Sequence, residues 1–155
     1  MGGRRNAAGA GLLEVLVAVL VMGIGLLGIA ATQSATLRYS QDSMGRSQAV
    51  IASYAMLDAI RASLPDDAAS NAGARAQAIG AYSLARACAP KGGGGSLVKE
   101  TQQAWVASLQ ESVGPDTCGT VKCDGASGVC VITVEWDESR TGGAADNSIV
   151  TRSRI

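Results

Sequence analysis

Residues Ala10–Ala31 read AGLLEVLVAVLVMGIGLLGIAA, and how this stretch is read decides the fold. It is apolar throughout except for one carboxylate, Glu14. Val15 to Ala31 is 17 residues without a charge. With Ala10–Glu14 added, a helix of ~33 Å results at 1.5 Å per residue, long enough to span a bilayer. The residues before it, MGGRRNAAG, are short and polar. They place Arg4 and Arg5 just ahead of the apolar run, a charge bias that keeps this end in the cytoplasm and sends the rest outward.

Glu14 separates the readings of this segment. A cleaved secretory signal has a shorter apolar core followed by a small-x-small site; AATQSA imitates such a site, but the core is long. A plain anchor fits the length and leaves Glu14 unexplained, since an ionisable group in a span is costly and generally paired. A cut after Gly9 supplies a partner. Ala10 then carries a free α-amine, mostly protonated near neutral pH, and Glu14 is the fifth residue. A carboxylate that meets such an amine on its own or a neighbouring chain pins the register of packed helices, the best-attested use of a buried polar group.

The leader and helix resemble the class III signal of type IV prepilins: a short basic leader, Gly9 before the cut, Glu14 at the fifth position, then a long apolar helix. Further along, GLLGIAATQSATLRYSQDSMGRSQAVIASYAMLDAIRAS is similar to the minor pilins of the PilV type. The matching positions are Gly25–Gly28, Gln33, Leu37–Arg38, and Ala55, Asp58, Arg61 and Ala62. The resemblance covers roughly residues 4–64 and, weakly, the last strands. The position after the cut is usually Phe or Met in this class and is Ala10 here; a frame with Leu12 first would put Glu14 third, which does not match.

The resemblance implies an α+β, pilin-like fold, with a long N-terminal helix packed on a small antiparallel β-sheet head. It also implies three regions: a leader at 1–9, a membrane or filament-core half of the helix at 10–31, and a periplasmic head at 32–155. It further implies cleavage between Gly9 and Ala10 by prepilin peptidase, N-methylation of Ala10, and an assembly role for Glu14. The partners implied are other minor pilins, the major pilin and a tip adhesin. The location implied is the inner membrane and then the filament, at its tip, where a minor-pilin complex primes assembly. A minor pseudopilin of type II secretion shares the leader, helix and head, and is the nearest alternative. A membrane-anchored periplasmic binding protein or enzyme is the third.

Composition narrows chemistry. The 155 residues suit one domain, and formal net charge is zero, so no charge excess points to nucleic acid. There is no His, which removes Ser-His-Asp and Cys-His activation and His-containing metal sites. No catalytic residue, metal site or cofactor is expected. Apolar content is 47% but only 3% is aromatic, with no Phe, so a globular core is thin.

No Pro precedes Pro65, so one helix of ~80 Å is allowed from Ala10 to about Ser63. Leu37, Met44 and Ile51 recur every seven residues in its second half, with Val50, Tyr54, Leu57 and Leu64 alongside, and this stripe is expected to pack on the head. Gly23, Gly25 and Gly28 lie in the span. They fit close helix packing and equally a segment that loosens when the subunit leaves the bilayer. Leu64-Pro65 ends the helix. A short helix is expected over Ala74–Ala87. KGGGGS (Lys91–Ser96) reads as a linker, without the ending a phosphate loop needs.

Leu97–Val113 has helical periodicity with Ser96 as cap and Gly114-Pro115 as stop, and Trp105 and Leu109 face the core. The rest is β: CGTVKC, a turn at Asp124–Gly128, and GVCVITVEW with Cys130, Ile132, Val134 and Trp136 on one face. After a loop, NSIVTRSRI carries Ile149, Thr151 and Ile155 on one side. Three or four antiparallel strands follow.

An even count of four Cys in an exported half favours disulfides. Cys123 and Cys130 fall on facing strands of one hairpin, which leaves Cys88 with Cys118, although four Cys allow three pairings and the sequence does not choose. A Cys₄ zinc site lacks any C-x₂-C pair. Asp66-Asp67 and Asp137-Glu138 lack a flanking ligand pattern and read as solvated. Arg152 and Arg154 read as a solvated edge.

Overall fold

The structure is a computed structural model that describes residues 10–90, 95–139 and 143–155. The expected leader, with Gly9, and Lys91–Gly94 of the linker lie outside the described residues. The architecture is α+β, a long N-terminal helix and a four-stranded antiparallel sheet, which is the pilin-like arrangement. The chain divides into two compact units at Ser40/Gln41.

Helix α1 runs Ala10–Ala62. Up to Ser40 its side chains are exposed almost without exception, the large apolar ones from Leu12 to Ile29 included. It ends where Ser63 N–H donates back to Ala59 O and the Leu64-Pro65 pair follows, since proline disfavours the helical state in the residue before it.

In the second unit, residues 41–62 of α1 carry one face of the core. The buried residues are Ala49, Ala52, Ser53, Met56, Leu57 and Ile60. This corrects the expected stripe in part: Leu57 is buried and Leu64 packs partly on the core, but Met44 is 64%, Ile51 60% and Tyr54 55% exposed, and Leu37, in the first unit, is 65% exposed. The reason lies in what packs on the helix. The indole of Trp105 donates from Nε1 to the backbone oxygen of Ala52 at 2.8 Å. A ring reaches a helix carbonyl only where small side chains leave the backbone bare. The seven-residue repeat therefore lies on the outward face, and the inward one combines small residues, Ala49, Ala52 and Ser53, with the bulky Met56, Leu57 and Ile60.

Helix α2 covers Ala72–Ala81, with the Asn71 side chain accepting from Ala74 N–H at its start. The expected helix over Ala74–Ala87 is thus cut short. Tyr82 is buried, Ser83 bonds both the N–H and the C=O of Cys123, and Leu84–Ala87 forms strand β1. The alanines favour helix weakly, and the sheet partner overrides them. Helix α3 spans Leu97–Ser112. Ser96 caps it by accepting from Lys99 N–H, and Trp105, Val106 and Leu109 are buried.

Strands β2 (Cys118–Asp124), β3 (Val129–Trp136) and β4 (Asn147–Arg154) follow, and the sheet order is β1-β2-β3-β4, antiparallel throughout. On β3, Cys130, Ile132, Val134 and Trp136 alternate inward against the helices, as period two requires. Ile79, Tyr82, Val121, Trp105 and Leu109 complete this core.

At Gly119 of β2 the side chains of Trp105 and Leu109 on α3 lie close against the strand backbone. A Cβ there would lie 2.3 Å from the Trp105 ring. Gly119→Ala should therefore cost about 1–3 kcal/mol by overpacking, while Gly80→Ala in α2, where nothing lies within 4 Å, should be neutral or stabilise by up to about 1 kcal/mol. Urea melts of the full chain in detergent micelles check the contrast. Equal midpoints for the two variants would exclude the Trp105–Gly119 contact as a packing constraint.

Candidate functional site

Glu14 lies on α1 one turn beyond Ala10, where the described helix begins. The residues at helical neighbour spacing, Ala10, Gly11, Val17 and Ala18, are all apolar or small. Among the described residues its carboxylate has no hydrogen-bond or ion-pair partner. The helix is long and apolar enough to cross a membrane, and the most apolar window of it is 0% buried. Gly11, Gly23, Gly25 and Gly28 have open space around them, with nothing within 4 Å of an added Cβ. Ala10 is placed as backbone at the helix start, and Gly9, the other half of the expected cleavage site, falls outside the described residues.

The hydroxyls on α1 add a feature that sequence reading missed. Thr32 Oγ1 donates to Ile29 O at 2.8 Å, Thr36 Oγ1 to Thr32 O at 2.9 Å and Ser47 Oγ to Ser43 O at 2.9 Å. These groups are satisfied within their own helix, so surrounding them with apolar matter leaves no bond unmade. The signal was available: Ser and Thr inside a helix bond back to the carbonyl three or four residues before.

The four cysteines form two disulfides, Cys88–Cys118 and Cys123–Cys130. Cys123 and Cys130 face each other directly across β2 and β3. Cys88 lies just past β1 and Cys118 opens β2, so that bridge closes the segment containing α3 onto the sheet. Gln110 of α3 donates to the Cys88 carbonyl at 2.6 Å and holds the same corner.

Of the paired acids, Asp66, Asp67 and Asp137 are exposed, as expected, and Glu138 is not. Asp67 accepts from the Asn71 side chain at 3.0 Å. Glu138 is half-buried rather than solvated: it accepts from Trp136 Nε1 at 2.6 Å and from Asn147 Nδ2 at 2.9 Å, joining the end of β3 to the start of β4. Asp137 is exposed, and the hydroxyl and N–H of Ser139 hold its carboxyl below the usual range. Asp124, in the β2–β3 turn, is lowered likewise by the Ser127 hydroxyl and the Ala126 N–H. Among the described residues no group of three or more His, Cys, Asp or Glu is placed to hold a metal ion. A cleft lined by Arg86, Asp116, Glu135 and Asp146 lies at the same end of the sheet as Glu138, and there Arg86 pairs with Glu135 at 2.6 Å.

Compared with known protein families, curated proteins and solved structures, the chain gives no significant match to any of them.

The two bridges close loops of different length, 30 residues for Cys88–Cys118 and 7 for Cys123–Cys130. Loop-closure entropy then gives about 3.6 kcal/mol for the first and about 2.4 kcal/mol for the second. The double variant C88A/C118A should unfold at lower urea than C123A/C130A, by about 1 kcal/mol of stability. The reverse order would show that the short hairpin bridge does more than close a loop.

Proposed function

We propose that this chain is a minor subunit of a type IV pilus, held in the inner membrane by the first part of α1 and later inserted into the filament by the same helix. The observation that carries the reading is Glu14, a lone carboxylate on an apolar helix with no partner in its own described chain. In apolar surroundings such a group needs a counter-charge. Removal of residues 1–9 by prepilin peptidase provides one, the α-amine of Ala10 on a neighbouring subunit.

Three further features support it. The outward face of α1 between residues 41 and 62 shows Met44, Ile51 and Tyr54, so even beside the head the helix presents apolar surface to a neighbour. The self-bonded hydroxyls of Thr32, Thr36 and Ser47 let this helix pass from lipid into a helix bundle. The head, closed by two disulfides, suits the oxidising periplasm. Its partners are other pilins at the filament tip, together with a tip adhesin, and its part in assembly is structural rather than catalytic.

Two measurements test this. Mass spectrometry of the purified protein should find a chain that begins at Ala10 with an N-methyl group; a chain still starting at Met1, in cells with working peptidase, overturns the reading. Glu14→Ala should insert into the membrane as well as the parent or better, because it removes the cost of a charge in the span. Incorporation into filaments should fall at least about tenfold, the equivalent of losing about 1.4 kcal/mol. Normal incorporation would refute the pairing of Glu14 with a neighbour's amine.

A further inference from the structure

The two edges of the sheet are built differently. β1 is four residues long, its pairing with β2 is irregular between Leu84 and Ala87, and the Cys88 bridge follows at once. Short, irregular edges are the usual protection against adding another strand. β4 has eight residues, no Pro and no bulge, and pairs with β3 in continuous register from Val129↔Arg154 to Trp136↔Asn147.

The direction of its free groups follows from one bond. Ile155 N–H donates to Gly128 O at 2.8 Å, and the pair lies in the same register as Val129↔Arg154. Bonded and non-bonded positions alternate along an antiparallel pair. Asn147, Ile149, Thr151 and Ser153 therefore bond towards β3. Ser148, Val150, Arg152 and Arg154 turn their N–H and C=O groups outward. Among the described residues none of these four has a backbone partner on that side, and the one side-chain bond there, from Ser153 Oγ to Arg154 O at 3.3 Å, leaves the second lone pair of that carbonyl open.

The side chains at the same four positions are all exposed, Val150 at 62%. Ile149 and Thr151, on the core side, are only half covered. Neither Arg152 nor Arg154 has an ion-pair partner among the described residues, and Lys122 lies on the same solvent face, two strands in, level with Arg152. A chain of zero net charge thus presents an edge whose free backbone is lined by unpaired guanidiniums.

We propose that β4 is a docking edge for an extended acidic segment of a partner protein, which adds to the sheet as a fifth strand. Its backbone pairs with residues 148, 150, 152 and 154. An apolar residue meets Val150, and carboxylates at alternate positions meet Arg152 and Arg154. Opposite charges directly across a strand pair stabilise it and like charges oppose it. A second copy of β4 is therefore a poor occupant: antiparallel pairing about the strand centre makes the two Arg152 side chains diagonal neighbours. The proposal uses none of the residues that carry the pilus reading, and it stands whether or not the chain is a pilus subunit.

The test uses the full-length chain in detergent micelles and two synthetic peptides of about eight residues, a common strand length. Both alternate Val and Thr; one has Glu at two alternate positions of one face, the other Lys there. Amide hydrogen exchange is read by NMR. The Glu peptide should slow exchange at Ser148, Val150, Arg152 and Arg154 by about tenfold or more, and the Lys peptide should not.

Val150→Pro removes an outward N–H without touching a bond to β3, so it should abolish protection by the Glu peptide while exchange at Ile132 and Val134 stays as in the parent. The charge-reversed chain R152E/R154E should exchange its preference for that of the Lys peptide. No protection at the four amides, equal protection by both peptides, or an unchanged preference in R152E/R154E would overturn the proposal.

Discussion

The stretch of helix α1 from Ala10 to Ala31 has no polar side, Glu14 alone excepted, and the rest of the molecule answers to that. In the first unit every large apolar side chain from Leu12 to Ile29 is exposed. In the second, the head covers only the strip of Ala49, Ala52, Ser53, Met56, Leu57 and Ile60, and Met44, Ile51 and Tyr54 remain outside. A helix that is apolar all round belongs in lipid or among other helices. Burial of a large aliphatic side chain is worth about 1.5–3 kcal/mol, so leaving this many in water is a strong drive towards both. A charge in that setting selects a geometry rather than adding stability, because it excludes every helix offset that leaves it unpaired.

The head meets a second constraint, a shortage of bulk. With no Phe and two Trp, volume has to be placed where it closes the most space. Trp105 fills the junction of three elements: it stands on α3, bonds the backbone of α1 at Ala52 and lies against the bare backbone of β2 at Gly119. Trp136 closes the far end of β3, where its indole N–H and the amide of Asn147 share Glu138. Small residues act as the counterpart of the large rings, and two disulfides add constraint that a thin core does not supply.

Elements whose pattern is local were legible in the sequence. The apolar run, the Ser96 cap with Trp105 and Leu109 below it, and the alternation of Cys130, Ile132, Val134 and Trp136 are each written in neighbouring residues. What depends on distant partners was not. The helix expected at Leu84–Ala87 is a strand because Ser83 and β2 bond it, and neither is visible from the alanines around it. The inward face of α1 was assigned to the bulky repeat because size is the usual mark of burial; here the approaching Trp105 rewards alanine. Glu138 read as a solvated acid because its donors are a tryptophan two residues before and an asparagine nine residues later. At the N-terminus, Glu14 was legible as an anomaly, and an anomaly in a span is itself the signal.

The restraints of the head are concentrated on one side of the sheet. At β1 the Cys88–Cys118 bridge, the Gln110 contact to the Cys88 carbonyl and the Arg86–Glu135 pair hold the strand from three directions. Towards β4 the helix sends one side-chain bond, from Arg61 to Ser153 at 3.1 Å, and Arg75 of α2 reaches the backbone oxygen of Ile155. β4 itself is held by its continuous pairing with β3, by Ile149 and Ile155 against the core and by the Asn147 bonds to Glu138 and Ala144 O. The outer groups of its backbone are what the fold leaves over: the edge tied to α3 is short and covered by a bridge, and the edge away from it is long and regular.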